Sequence, residues 1–286
     1  MRKLNYSDPH GSNACFTLER KINMTSVSKG TALVTGASSG IGAVYAERLA
    51  RQGYNLILVA RSEGKLQQLA DRLGKDTGRS VQVIAADLSA AADVRRVEHV
   101  LRNDASINML VNNAGVGALM PLLNSDVDEM ESMITLNVIA LTRLSYAVAP
   151  AMVARGAGTI INISSIVGIA PEILNGVYGA SKAFVLSFSQ SLQHELADKG
   201  IRVQAVLPGA TATEFWALAG NPVENLPPSI VMSATAMVDA ALAGLQNGEV
   251  VTIPSLHDGD KLTRFEASRR ELSSLFGNST PAARYL

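Results

Sequence analysis

Short apolar runs recur along the chain, and longer amphipathic stretches separate them. The runs are Thr31–Val34, Asn55–Ala60, Val81–Ala85, Met109–Val111, Thr159–Ile163, Arg202–Leu207 and Val250–Ile253. Each is of strand length, rich in Val and Ile, and nearly continuous rather than alternating, the pattern of strands covered on both faces. Between them, helical periodicity predicts helices near 41–52, 63–73, 90–103, 126–154, 178–198 and 233–246. Strict β–α alternation without a linker, repeat or low-complexity tract predicts one α/β domain. Its core is a doubly wound parallel sheet of about seven strands, with right-handed crossovers and helices on both faces.

The stretch 126–154 is too apolar for a single stripe. Met130, Met133, Ile134, Leu136, Val138, Leu141, Leu144, Ala147, Val148 and Met152 cover more than one face. One face is expected on the sheet and the remainder on a partner subunit, in a homodimer or homotetramer. Burial under the C-terminal segment is the alternative.

Composition narrows the function classes. Of 286 residues, 47% are hydrophobic and 17% charged, enough for a sizeable core. The 25 basic and 25 acidic residues balance, so neither nucleic acid nor an anionic membrane is an expected partner. The single cysteine, Cys15, excludes an intramolecular disulfide and a cysteine-based zinc site. His10, His99, His194 and His257 lack metal-ligand spacing and are expected to be ordinary residues. No uninterrupted apolar run is long enough to predict a membrane span. Residues 1–28 are rich in Ser, Asn, Lys and Arg and lack the apolar core of a signal peptide. They are expected to be a disordered or loosely attached extension, with Met24 as an alternative start. Residues 29–286 then form the domain, in a reducing, cytoplasmic setting. In the tail 255–286, Leu262, Phe265, Leu272, Leu275 and Phe276 suggest a helix that caps a pocket or touches another subunit.

The first run leads directly into Thr35-Gly36-Ala37-Ser38-Ser39-Gly40-Ile41-Gly42, where a helix opens. Such a strand–turn–helix junction binds pyrophosphate: glycines permit a tight turn and close approach, and the helix end offers free N–H groups to the anion. The expected fold is therefore Rossmann-type. The same turn satisfies Gly-x-Ser-x-Gly, the nucleophile elbow of α/β hydrolases. Its position after the first core strand argues against that reading, because no earlier loop is left to supply an oxyanion hole.

Tyr178 and Lys182 are four residues apart at the start of a predicted helix, so both project from one face. Ser165 ends the strand thirteen residues earlier, with Ser164 beside it. A free phenol titrates at about pH 10, and a neighbouring ammonium together with the positive ring of a bound cofactor is expected to lower that value towards neutrality. The spacing also fits a helix N-terminus with an aromatic staple, and spacing alone does not choose.

In these motifs the chain resembles the short-chain dehydrogenase/reductase family, from about residue 29 to 253. The matching positions are Thr35–Gly42, Asp87, Asn112-Asn113-Ala114-Gly115, Asn137, Ser165, Tyr178-x-x-x-Lys182 and Pro208-Gly209, in family order and spacing. The resemblance implies an enzyme that moves a hydride between a nicotinamide cofactor and a carbonyl or alcohol carbon. It implies that Tyr178 is the general acid/base, that Lys182 holds the nicotinamide ribose and tunes Tyr178, and that Ser165 bonds the substrate oxygen. Asn137 would link Lys182 to a proton-relay water. Gly36, Ser38, Ser39, Gly40, Ile41 and Gly42 would hold the pyrophosphate end of the cofactor. Asp87 and Leu88 would contact adenine, and Asn113 and Gly115 the adenosine ribose. Pro208, Thr211 and Thr213 fall where the family binds the carboxamide.

Cofactor choice turns on the end of the second run. An acid there hydrogen-bonds the ribose 2′-hydroxyl of NAD, but here Ala60 is followed by Arg61-Ser62. A guanidinium suits a 2′-phosphate, so NADP(H) is expected over NAD(H). The loops Ile166–Leu174 and Ala210–Ile230 are apolar and carry few charges, which favours an apolar carbonyl or alcohol as substrate. The alternatives are an NAD-dependent alcohol dehydrogenase and a cofactor-binding regulatory protein without turnover.

Overall fold

The computed structural model describes residues 28–286. The expectations for the N-terminal extension, with His10, Cys15 and Met24, fall outside the described residues.

Strands β1 (Thr31–Thr35), β2 (Asn55–Ala60), β3 (Val81–Ala85), β4 (Ile107–Asn112), β5 (Gly158–Ile163) and β6 (Ile201–Val206) form one sheet. The short β7 (Thr211–Ala212) and β8 (Met232–Ser233) pair with each other outside it, and β9 (Val251–Thr252) completes it. The order is β3-β2-β1-β4-β5-β6-β9, with every neighbouring pair parallel. The expected seven-stranded, doubly wound sheet is therefore present.

Alternation along each strand feeds two cores. From β1, Ala32 and Val34 join the layer covered by α1 (Gly40–Arg51), α2 (Glu63–Thr77) and α8 (Ala234–Gln246). Leu33 joins Leu110, Val148 and Leu192 under α3 (Ala91–Asn103), α5 (Leu141–Arg155) and α6 (Gly176–Leu196). Strand order reverses between β1 and β4, so a crevice opens beyond the carboxyl ends of those strands.

The single helix expected over 126–154 is interrupted. Helix α4 (Val127–Ile134) passes through a π-helical segment, Thr135–Ala140, into α5. The wider turn places Asn137 beside the loop after β4, where its side chain finds partners. Taken together, Val127–Arg155 is long and apolar enough by composition to cross a membrane. Here Leu141, Leu144, Ala147, Val148 and Met152 are buried, while Ile139 and Tyr146 stay exposed. The tail does form a helix, α9 (Gly259–Ser274), which follows the four-residue α7 (Phe215–Leu218) and α8 in the chain. It meets the body through Leu262, packed against the cluster of Leu186, Ala205, Leu207 and Val251, and through a Gln190–Glu266 hydrogen bond of 2.8 Å. Phe265, Leu272, Leu275 and Phe276 are exposed.

Candidate active site

Gly36 and Gly40 take positive φ, 64° and 53°, and so make the turn between β1 and α1. A Cβ on Gly42 would strike the carbonyl oxygen of Gly36, so this third glycine lets the helix close on the turn. Asn113 fixes the turn from the neighbouring strand by donating Nδ2–H to the carbonyls of Thr35 (2.9 Å) and Gly36 (3.2 Å). Thr35 returns the link, its Oγ1 accepting from the amides of Asn113 (2.9 Å) and Ala114 (3.0 Å). Ser39 stands at the N-cap of α1 without a side-chain capping bond, and Ser38 and Ile41 are half-buried beside it. The first-turn amides of α1 at this crevice end, with Ser39 at the N-cap beside them, form a cradle that fits a pyrophosphate.

Along the crevice, Arg61 is exposed at the end of β2 and forms no ion pair among the described residues. Ser62 next to it is the N-cap of α2, again without a side-chain capping bond. Leu88 is buried after β3, and Asp87 is half-buried and accepts from the amide of Ser89 (2.9 Å).

At the carboxyl end of β5, Ser165, Tyr178 and Lys182 converge, all three buried. Asn175 caps α6 by accepting from the amides of Val177 and Tyr178, and it donates to the carbonyl of Met120 (2.6 Å). This cap starts α6 two residues before Tyr178 and holds the phenol at its first turn. Ser165 Oγ donates to the carbonyl of Pro208 and accepts from the amide of Val167 (both 3.4 Å), and it stands near enough to the Tyr178 hydroxyl to oppose the effect of burial there. Ser164 instead donates to the main-chain carbonyl of Lys182 (2.7 Å), so it ties strand to helix and does not face the site.

Lys182 Nζ donates to the carbonyl of Ile163 (3.0 Å) and lies 5.8 Å from the centre of the Tyr178 ring. Asn137 donates to the carbonyl of Val116 (2.9 Å) and to Ser181 Oγ (3.2 Å), and accepts from the amide of Val116 (3.0 Å). A Cβ on Gly115 would stand 3.0 Å from Asn137 Oδ1 and 3.5 Å from Lys182 Nζ, so both polar groups border the space left by this glycine.

The electrostatics depart from the expected lowering of the phenol. Burial pushes the Tyr178 hydroxyl up to about 12, with Ser165 opposing it. Burial also pulls the Lys182 ammonium down to about 8. Desolvation outweighs attraction because both groups sit inside the fold. By the chain's own groups, Tyr178 is protonated at neutral pH and Lys182 is poised to exchange a proton.

Beyond β6, Pro208 accepts from the amide of Ile166 (3.1 Å) and Thr211 is buried. The Thr213 methyl lies against Gly40, so the segment after Pro208-Gly209 reaches back over the glycine turn. Phe215 packs on Tyr178 with ring centres 5.8 Å apart. Sequence reasoning missed Asn175, which shapes this site by capping α6. An Asn just before an apolar helical stretch is a capping signal and would have found Asn175. Phe215 belongs to the apolar loop 210–230 expected at the pocket, but its seat on Tyr178 depends on a contact across the fold.

The family model for short chain dehydrogenase matches residues 30–222. A short-chain dehydrogenase from Sphingobium yanoikuyae, solved in complex with NADPH, is 49% identical. The alignment covers 90% of this chain and 100% of that one, with a TM-score of 0.87. The bulky-bulky ketone specific alcohol dehydrogenase from Comamonas testosteroni is 45% identical over 90% of this chain and 98% of that one, with a TM-score of 0.83. A very-long-chain 3-oxoacyl-CoA reductase from Anas platyrhynchos is 38% identical over 64% of this chain, and the match spans 60% of that protein.

Proposed function

The chain belongs to the short chain dehydrogenase family, and from that premise we propose that it uses NADPH to reduce ketones bearing two bulky apolar groups. At the coarser level it is an NAD(P)-dependent oxidoreductase acting on a carbonyl or alcohol carbon. The observation that carries the finer reading is the apolar cluster that surrounds the buried Tyr178 side chain beside Ser165. A protonated phenol is the state that a proton donor to a ketone needs. The apolar neighbours Met130, Met133, Val167, Leu174 and Phe215 suit hydrocarbon substituents. The likeness to the Comamonas testosteroni enzyme supports the same substrate class.

When bound, NADPH supplies the hydride. In this reading Ser165 holds the carbonyl oxygen, and Tyr178 gives that oxygen its proton as the carbon gains hydrogen. The C=O π bond is thereby replaced by one C–H and one O–H bond. Lys182, at about 8, returns a proton to Tyr178 and hydrogen-bonds the nicotinamide ribose. Asn137 keeps the Gly115–Val116 loop in place beside Lys182. The glycine turn with Ser38, Ser39 and Ile41 takes the pyrophosphate, while Asp87, Leu88, Asn113 and Gly115 take adenosine. Pro208, Thr211 and Thr213 take the carboxamide. Arg61 and the uncommitted Ser62 hydroxyl, beside the N-terminus of α2, read the 2′-phosphate.

The exposed Tyr146 and Phe184 flank Phe188 in a stack, with ring centres 6.4 and 5.6 Å from it. An exposed aromatic face on α5 and α6 supports assembly as a homodimer or homotetramer. Light scattering of the eluted protein tests it, and a monomer would refute it.

The substrate reading is tested by initial rates of NADPH oxidation with acetone, cyclohexyl methyl ketone and dicyclohexyl ketone. Catalytic efficiency is expected to rise along that series. Fastest turnover of acetone, or none of any ketone, would overturn it.

A further inference from the structure

Phe215 opens α7, a single helical turn within the stretch between Pro208-Gly209 and β8. Its ring is wedged between two glycine- and tyrosine-bearing elements. On one side, the Tyr178 ring lies 5.8 Å away at 44°. On the other, a Cβ on Gly117 would collide with Phe215 Cζ and lie 2.8 Å from Cε2. The ring thus sits between the Tyr178 ring and the loop at Gly117.

The residues around it are anchored across the cofactor crevice. Glu214 pairs with Lys65, on the first turn of α2, at 3.5 Å. Thr213 covers Gly40. Trp216 donates its indole N–H to the carbonyl of Thr211 (3.0 Å) and meets Phe215 edge-on, 85° between planes. Four consecutive residues therefore join the nucleotide-binding side of the crevice to Tyr178. The segment follows directly on the two-residue pairing of β7 with β8, its own main-chain bonds are internal to the turn, and Leu218 at its end is exposed. The Lys65–Glu214 pair is itself open to solvent, and such pairs hold only weakly.

We propose that Phe215 is a specificity-determining gate, seated on Tyr178 by the Lys65–Glu214 pair and displaced by the incoming ketone. The inference rests on the ketone reading above and deepens it. A bulky apolar ketone replaces the contacts that the ring gives up, whereas a small ketone leaves them unmade. The gate thus selects for size by raising KM for small substrates. An aromatic pair of this kind accounts for a few-fold to about tenfold in that constant. Lys65 and Glu214 act as positioning residues, because they work through Phe215 and touch no reacting atom.

The test uses the full chain with NADPH and the same three ketones. Phe215→Ala is expected to lower KM for acetone at least threefold relative to KM for dicyclohexyl ketone, with the NADPH dissociation constant within twofold of wild type. Gly117→Ala pushes the ring off without altering it, and should shift KM in the same direction. Glu214→Gln and Lys65→Met should lower KM for acetone by about two- to threefold, the reach of a weak ion pair. That effect should vanish in a Phe215→Ala background, and the exchanged pair Lys65→Glu with Glu214→Lys should restore wild-type KM.

Trp216, the chain's single tryptophan, reports on the segment without turnover. Dicyclohexyl ketone added to the NADP⁺ complex should change its emission, and acetone should not. That response would support the gate even if no ketone were reduced, a result that defeats only the functional reading. Ketone reduction with KM ratios unchanged in Phe215→Ala and Gly117→Ala, or a silent Trp216, would overturn the gate.

Discussion

Asn137 and Val116 hold each other through two hydrogen bonds, the amide side chain donating to the Val116 carbonyl and accepting from the Val116 N–H, at 2.9 and 3.0 Å. The π-helical segment presents Asn137 to this loop, and the loop borders Lys182 through Gly115. Asn137→Ala would leave the Val116 groups and Ser181 short of a partner inside the fold. The variant is expected to lose about 1–3 kcal/mol of stability, the range for stranding buried polar groups. Chemical denaturation measures this, and an unchanged midpoint would show that the clamp contributes nothing.

Tyr178→Phe removes one hydroxyl and leaves the glycine turn and Lys182 intact. Turnover should fall about a hundredfold or more, the contribution of a positioned acid or base. NADPH binding, followed by titration, should survive. Retention of more than roughly a tenth of wild-type kcat would mean that another group handles the proton.

Lys182→Met is expected to abolish turnover yet raise stability at neutral pH. The ammonium is buried with a carbonyl as its hydrogen-bond partner, and burial lowers it from 10.5 to about 8. A lowering from 10.5 to about 8 corresponds to about 3 kcal/mol against the buried charge, so an apolar chain of similar length should stabilise by up to about that amount. The unfolded chain binds this proton more tightly than the folded one between about 8 and 10.5, so wild-type stability gains as pH rises through that window. The advantage of the variant should therefore shrink from pH 8 upwards. Thermal unfolding across that range gives the answer, and a gap that widened with pH would reverse the sign argued here.

Arg61→Ala should weaken NADPH binding by about 1.5–3 kcal/mol, the usual range for hydrogen bonds to a charged group, with NADH binding little changed. Isothermal titration with both cofactors separates the two effects. Equal affinity of the wild type for NADH and NADPH would remove Arg61 from 2′-phosphate recognition.

Local pattern by itself determined much of this protein. Continuous Val- and Ile-rich runs between amphipathic stretches set the parallel sheet, because strands buried on both faces need apolar side chains on both. The turn Gly36–Gly42 and the Tyr178–Lys182 pair were legible for the same reason: positive φ and one helical turn are properties of neighbours in the chain. The tertiary structure decided what depends on residues far apart in sequence. Asn137 finds its partners at Val116 and Ser181, and the helix expected to run unbroken through 126–154 takes a π turn where it does so. Ser165 and Ser164 are chemically alike and adjacent. Only the packing of β5 on α6 sends one to Tyr178 and the other to the Lys182 carbonyl. Phe215 reaches Tyr178, and Glu214 reaches Lys65, across a crevice that exists only once the sheet has formed. The direction of the Tyr178 shift is of the same kind: the sequence showed the lysine that should lower it, but desolvation follows from burial, which is a property of the assembled fold.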